Sequence, residues 1–293
     1  MSVLAWRNPL VAWAVERESI RLKKESGQPA PWTEDPILQT YRFTNLRRRD
    51  DRVSRWLREH VLTVAHVEAG LPNFLAFSGL CRWVNWPPTI QLILDAGLYP
   101  AEKVNWRKIG KLIDRTAQTD KAWTGAYMVR ADTVTHMPKG QYVAEKVTGE
   151  SFKTGMVDLL VALLSRRRQT THAVVNSFYG WGSFMAGQIV DDWTWTSALN
   201  GATDNASWAP VGPGSLRGFN RLTKRPLKQR PAEYEFCELL VKLRQEIIDE
   251  LGPDYDDITA MDVQNCLCEF DKYQRVKLGE GRPRSMYQPE TRY

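Results

Sequence analysis

Residues 209–222 read APVGPGSLRGFNRL. Gly212-Pro213-Gly214 forces a tight turn whose backbone N–H groups stand beside a predicted helix start. This is the geometry of a helix-hairpin-helix element, in which backbone amides and a helix N-terminus hold a DNA phosphate. Directly behind it, residues 215–232 carry Arg217, Arg221, Lys224, Arg225, Lys228 and Arg230 and no acidic residue. Such a run suits a polyanion, and nucleic acid is the commonest one. Gly212, Gly214, Arg217, Arg221, Lys224 and Arg225 are therefore the candidate DNA contacts. A solvated charged face is the plainer explanation of the same run.

The helical pattern extends to both sides of this turn. C-terminal to it, 232–251 reads as a long helix ended by Gly252-Pro253. Thr259, in a Thr-x-x-Asp capping pattern, opens a last helix through Tyr273. N-terminal to it, 151–164, 170–178 and 182–198 are predicted helices, the last two parted by Gly180 and Gly182. Segment 101–118 is amphipathic. Pro87-Pro88 opens a helix ending near Gly97, and Asn73 is the predicted cap of one running through Trp83. Val53, Trp56, Leu57, Val61, Val64 and Ala65 recur at helical spacing over 51–69, before Gly70-Leu71-Pro72. Residues 1–30 read as a short charged helix, and Pro29, Pro31 and Pro36 impose an extended stretch after it. Only 119–150 departs. Its run GAYMVRADTVTHMPKGQYVAEKV (125–147) is β-branched and aromatic around a Pro-Lys-Gly turn, which predicts a small β-hairpin or irregular insert. The expected fold is mainly α, without alternating βα units. No linker is evident, so one domain over 1–293 is expected, with an N-terminal arm to about residue 40 and a loose basic tail from about 276.

Composition narrows the function classes. The 293 residues are 25% charged and 43% hydrophobic, ordinary for a soluble domain, and 40 basic against 34 acidic residues leave +6. No run of about 18 uncharged apolar residues exists, so no membrane span is expected, and residues 1–24 do not read as a signal peptide. Cys81, Cys237, Cys266 and Cys268 fit neither a zinc ribbon nor an iron–sulfur set, which suits unpaired thiols in a reducing cytoplasm. There is no H-E-x-x-H, no G-x-x-x-x-G-K-[ST] and no strand-G-x-G-x-x-G-helix fingerprint. No metal and no cofactor are expected.

Three segments could carry chemistry. In YRFTNLRRRDDRVSRW (41–56), Arg48 and Arg52 share a face if the helix reaches back that far, and Arg42 and Asn45 lie just upstream; such a set could grip phosphates. A charged helix start held by internal ion pairs explains it equally. In SFYGWGSFMAGQIVDDWTW (177–195), Gln188, Asp191 and Asp192 fall at i, i+3 and i+4 within an apolar, aromatic segment. A carboxylate there could act as a general base, although an exposed polar stripe would look the same. In CEFDKYQR (268–275), Asp271 and Arg275 have the spacing of a surface ion pair. The chain also holds 12 Trp, most of them suited to a core.

Together, ERESIRLKKESGQPAPWTEDPILQTYRFTNLRRRDDRVSRWL (16–57), YGWGSFMAGQIVDDW (179–193), GPGSLRGFNRL (212–222) and CEFDKYQR resemble the phage family of 5-hydroxymethyl-deoxyuridine DNA kinase helical domains. That family is also described as the alpha-glutamyl/putrescinyl-thymine pyrophosphorylase group. The resemblance spans about residues 16–275. It implies a helical fold related to helix-hairpin-helix DNA glycosylases and a place in phage thymine hypermodification, in the cytoplasm of an infected bacterium. There 5-hydroxymethyluracil in DNA is phosphorylated and pyrophosphorylated, and an amine then displaces the pyrophosphate. With no P-loop in the chain, the resemblance implies the transferase rather than the kinase. By motif, Arg42, Asn45, Arg47, Arg48, Asp51 and Arg52 match the N-terminal polar signature, Gln188 and Asp192 the Gln-containing helix, Gly212, Gly214 and Arg217 the hairpin, and Asp271, Lys272 and Arg275 the C-terminal element.

The expected partners are double-stranded DNA carrying a modified thymine and a small amine or amino acid, with no membrane. The thymine would leave the stack and be held by Tyr179 or Trp181. Arg42, Arg48 and Arg52 would receive the pyrophosphate. Asp192, or Asp191 in its place, would deprotonate the amine, and Gln188 would orient it. The rivals are a DNA glycosylase acting on a modified thymine and a non-catalytic DNA-binding module serving a separate kinase.

Overall fold

The computed structural model describes residues 8–125 and 136–281, with residues 283 and 286. Helices α1 (Pro9–Glu25) and α2 (Pro36–Thr40) lead to a 3-10 turn at Arg48–Asp50. Then come α3 (Arg52–His60), α4 (Val64–Glu68), α5 (Leu71–Val84), α6 (Pro87–Asp95) and α7 (Trp106–Thr119). The short α8 (Lys139–Gln141) runs into a π-helical stretch, Tyr142–Glu150, and on into α9 (Ser151–Leu164). Next are α10 (Arg168–Ser177), α11 (Ser183–Trp193), α12 (Pro213–Leu222), α13 (Glu233–Leu251) and α14 (Ala260–Lys277). Among the described residues there is no β-strand, and no helix is long and apolar enough to cross a membrane.

Local chemistry accounts for the helix ends. The Asn8 side chain accepts from Leu10 N–H and Pro9 sits at the first helical position, where its missing donor costs nothing. Asp35 and Pro36 repeat the device at α2. Thr259 and Asp262 form the expected capping box at α14, Thr259 Oγ1 accepting from Asp262 N–H at 3.2 Å.

The chain divides into two units, Arg52–Asp204 on the one hand and Met1–Asp51 with Asn205–Tyr293 on the other. Each has its own hydrophobic core. In the continuous unit α5 is buried over most of its length, and its Phe74, Phe77 and Leu80 share a core with Phe152, Ile189 and Trp193. In the discontinuous unit Leu10, Trp13 and Ala14 of α1 join Phe219 of α12, Phe236 and Leu243 of α13, and Met261 and Leu267 of α14. Leu10, Val11, Trp13, Ala14 and Ile20 of α1 thus contribute to this core.

Three local expectations are corrected. The predicted helix over 51–69 is two helices, because Thr63 turns its side chain to cap α4, accepting from His66 N–H. Asn73 lies inside α5 and not at its cap; its amide donates to the carbonyls of Ala101 and Glu102. The predicted hairpin falls partly on residues 126–135, outside the described residues. Its remainder, from Lys139, is helical, because Tyr142, Val143, Ala144 and Val147 are drawn into the core of the continuous unit. Burial there overrides a composition that favours strands.

Candidate functional site

In the discontinuous unit, the polar segment 42–51 is threaded between α1 and α14. Arg17 of α1, buried, donates to the carbonyls of Phe43 and Thr44 and to Asn45 Oδ1 at 3.3 Å. From α14, Glu269 accepts the Thr44 N–H at 3.0 Å, Asp262 accepts the Arg48 N–H at 2.7 Å, and Lys272 donates to the Arg42 carbonyl at 2.9 Å. Asn45 closes the loop on itself, its N–H donating to Asp51 Oδ1 and its amide to the Asp50 carbonyl. Arg42, Asn45, Arg47, Arg48, Asp51 and Lys272, expected together from sequence, are together in space. Arg52 belongs to the other unit.

The charges of this loop are mostly matched from within. Arg47 pairs with Asp50 at 2.9 Å and Asp257 at 3.3 Å and lies over the Tyr255 ring. Arg48 is buried, whereas Arg42 is exposed and Lys272 half-buried over the Phe43 ring. Burial, and the nearby Glu269 carboxylate, push the Asp51 carboxyl up to about 6 against the opposing Asn45 N–H and the charges of Arg48 and Arg17. A carboxyl titrating there has the basicity of a general base near neutral pH.

The carboxylates of α11 lie in the continuous unit. Asp192 is 1% exposed, and Arg82 of α5 grips both its oxygens, Nε to Oδ2 and Nη2 to Oδ1, at 2.7 Å each. Arg82 also donates to Asn85 and Ser54. Asp191 accepts from Arg168 of α10 at 2.6 Å, and Asp204 caps that helix by accepting the N–H groups of Arg168 and Gln169. Gln188 is buried beside them. All three are inside and not an exposed polar stripe, and the two carboxylates tie α11 to α5 and α10. The Arg82–Asp192 pair is bidentate, whereas Arg168 meets Asp191 through Nη2 alone and keeps Nε and Nη1 buried without a partner among the described residues.

Tyr179 and Trp181 separate. Trp181 is 2% exposed, edge-on to Trp83 and Phe152, and its indole N–H donates to the Val147 carbonyl at 2.8 Å; the expected stacking role does not suit so enclosed a ring. Tyr179 is 61% exposed. It borders a cavity of about 540 Å³ with Tyr142, Lys146 and Glu150 of the π-helical stretch and Thr154 and Asp158 of α9. The Tyr142 and Tyr179 rings meet edge to face, hydroxyls 3.2 Å apart. Gly155 makes the close approach possible, since a Cβ there would sit 2.0 Å from the Phe178 ring. The wide π turn brings Tyr142, Lys146 and Glu150 onto one side, and such turns recur at functional sites. Sequence reasoning missed Tyr142, Lys146, Glu150 and Asp158. The spacing of four, twice over, from Tyr142 through Lys146 to Glu150 was the available signal, hidden by the expected hairpin.

The basic run after the hairpin is not unopposed in space. Arg217 and Arg221 both bind Asp271 of α14, at 2.7 and 2.9 Å, and Arg221 also pairs with Glu280. Arg225 meets Glu235 of α13 in a two-pronged pair. Lys224 remains exposed. Gly212 starts α12 as expected, its N–H donating to Ser215 Oγ, but Gly214 is buried against Cys268. Asp271, expected to pair with Arg275, pairs with Arg217 and Arg221 instead; Arg275 packs its guanidinium against Gly281. Among the described residues no group of three or more metal-ligating side chains gathers.

The family model described as 5-hmdU DNA kinase, helical domain, matches residues 5–282. Among curated proteins the chain is similar to the 5-hmdU DNA kinase of Bacillus phage SP10, at 23% identity over 281 residues, 88% of this chain and 43% of that protein. The chain thus spans less than half the length of that relative. No solved structure matches it.

Proposed function

The chain belongs to the 5-hmdU DNA kinase helical-domain family, and from that premise we propose that it acts on modified thymine in phage DNA, in the cytoplasm of the infected host. In finer terms, it is a transferase that displaces pyrophosphate from 5-pyrophosphoryloxymethyl-deoxyuridine in DNA with an amine or amino acid. The observation that carries this is the Tyr179 cavity. An exposed tyrosine, a second tyrosine at its edge, a lysine and two carboxylates surround a volume suited to one extruded pyrimidine and a small nucleophile.

The step is a substitution at the exocyclic carbon on C5. The amine nitrogen attacks that methylene, a C–N bond forms, and the C–O bond to pyrophosphate breaks with its electron pair leaving on oxygen. The proton freed from the resulting ammonium passes to a carboxylate. Tyr179 stacks on the base. Lys146, within 2.7 Å of Glu150, is placed to match the charge growing on the leaving oxygen. Asp158, exposed on the cavity rim, takes the proton. Asp192 or Asp191 could do so only if their arginine pairs opened. The polar loop of the discontinuous unit, through Arg42 and Lys272, and the Gly212–Gly214 turn, in the manner of the helix-hairpin-helix of DNA glycosylases, are the proposed grips on DNA phosphates.

A second reading has one observation in its favour. The chain carries no phosphate-binding Gly-rich loop yet matches 43% of a protein named a kinase, as a DNA-binding module assisting a separate kinase would. One experiment separates the two. DNA carrying 5-pyrophosphoryloxymethyluracil is incubated with the protein and a panel of amines, pyrophosphate is measured, and the nucleosides are identified by mass spectrometry. Transfer gives equal amounts of pyrophosphate and a C–N adduct with at least one amine. No product with any amine, together with faster phosphorylation of hydroxymethyluracil DNA when the protein is added to a kinase, decides for the module. Abasic sites in place of either would mark a glycosylase.

A further inference from the structure

The net positive charge must show somewhere, and three arginines of the obvious basic run are matched by acids. Helix α7 presents a further set of open cations, in a row on one face. Its apolar side, Ile109, Gly110 and Ile113, is buried, and close packing fixes it. A Cβ on Gly110 would lie 2.6 Å from Gln141 Cα, and one on Gly140 would lie 2.7 Å from the Gly110 carbonyl. The α7–α8 contact is therefore nearly backbone to backbone, and α7 cannot roll.

The opposite side carries Lys108, Lys111 and Arg115 at i, i+3 and i+7, all exposed, along a groove of about 600 Å³ that also takes in Gln118 and Gln141. None of the three cations is in an ion pair with a described residue. The single acid among them, Asp114, is engaged at both oxygens by the N–H groups of Gly140 at 2.6 Å and Gln141 at 3.0 Å. An acid held that way spends its oxygens on the N–H groups of α8 and forms no ion pair with the three cations, so the row keeps a net positive charge. At a rise of about 1.5 Å per residue the three cations extend over about 10 Å, while one DNA strand presents a phosphate for every ~3.4 Å of helix axis. The row thus covers about three phosphates.

We propose that the Lys108–Lys111–Arg115 face of α7 seats the phosphate backbone of duplex DNA. The proposal rests on the reading that the protein acts on DNA, and it deepens it by assigning the contact to a surface that the sequence did not single out. The side-chain amide of Gln118 adds a neutral donor for phosphate oxygens along the same groove.

The test uses the full chain and a fluorescent duplex of about 30 base pairs, with anisotropy read from 50 to 300 mM KCl. Wild type is compared with K108Q/K111Q/R115Q, whose exposed changes leave the buried face of α7 intact, as helical circular dichroism will check. Loss of three phosphate contacts lowers the slope of log K against log salt by roughly 2–3 and weakens binding at least tenfold near 100 mM salt. A wild type that binds with an unchanged slope in the variant overturns the face alone. A wild type that binds no duplex at 50 mM salt overturns the DNA reading and this proposal with it. Loss of binding to anionic lipid vesicles, with DNA binding untouched, would give the face to a membrane surface and likewise overturn the proposal.

Discussion

At the scale of single residues, the Arg82–Asp192 pair decides what a mutation in α11 means. Both groups are almost wholly buried, and two 2.7 Å hydrogen bonds join them. Removing one partner leaves the other charge buried without its counter-ion, so Asp192→Ala should cost about 3–5 kcal/mol of stability. Urea denaturation will show this as a lower midpoint. Replacing both, as Arg82→Met with Asp192→Leu, removes the desolvation cost along with the attraction and should recover most of the loss. If the folded double variant still releases pyrophosphate, Asp192 serves structure; if it is folded and inactive, the base expected from the sequence is restored. Asp51 gives a prediction in pH. Its folded value near 6 lies above the ordinary carboxylate value of about 3.9. Between those values the native state holds more protons than the unfolded one, so its contribution is fully present below about pH 4 and is lost as pH rises through 6. Asp51→Asn cannot titrate, and its stability relative to wild type should improve steadily from pH 4 to pH 7 in parallel denaturation curves.

At the scale of elements, α12 and α14 show how closely two helices can come. A Cβ on Gly218 would stand 2.1 Å from the Leu267 carbonyl oxygen, and one on Gly214 would stand 2.2 Å from Cys268 Sγ. Sγ can move, whereas a carbonyl inside a helix cannot. Gly218→Ala should therefore force the helices apart at a cost of about 1–3 kcal/mol, and Gly214→Ala should cost less, as thermal melts of the two will rank. The sequence made Gly214 a phosphate-binding residue, but the packing needs its small size first. Elements whose signals are local were legible: α9 occupies the predicted 151–164, Thr259 caps α14, and Gly252-Pro253 ends α13. The π-helical stretch was not. Tyr142, Val143 and Val147 carry strand-like composition, and only contact with residues far along the chain makes them helical. The cavity went unseen with it, since its lining depends on the register of that turn. The charges around Arg217 failed for the same reason, because Asp271 lies 54 positions away along the chain.

At the scale of the molecule, the division into two units was invisible because nothing in composition marks it. The chain leaves the first unit at Asp51, inside a charged run read as one helix start, and returns at Asn205, inside a loop. The first place holds no Pro or Gly, and the Gly- and Pro-containing stretch at the second (Gly201, Pro210, Gly212, Pro213, Gly214) reads equally well as a loop inside one domain. What separates the units is long-range: the members of one core cluster run from Leu57 to Ala202, and those of the other lie before and after that stretch. A continuous segment with its own core should fold when cut free, while a core assembled from two distant segments should not survive the loss of either. Residues 52–204 expressed alone should keep helical circular dichroism and unfold in one cooperative transition. Residues 205–293 alone should not, because Leu10, Trp13, Ala14 and Phe43, which fill their core, are missing. Adding a peptide of residues 1–51 should restore a transition in the second fragment. If 52–204 melts without cooperativity, the two cores are not independent; if 205–293 folds by itself, its core does not need residues 1–51. Since the Tyr179 cavity and the α7 face both lie within 52–204, the isolated segment should also bind duplex DNA, with the share of the salt dependence that the α7 cations supply.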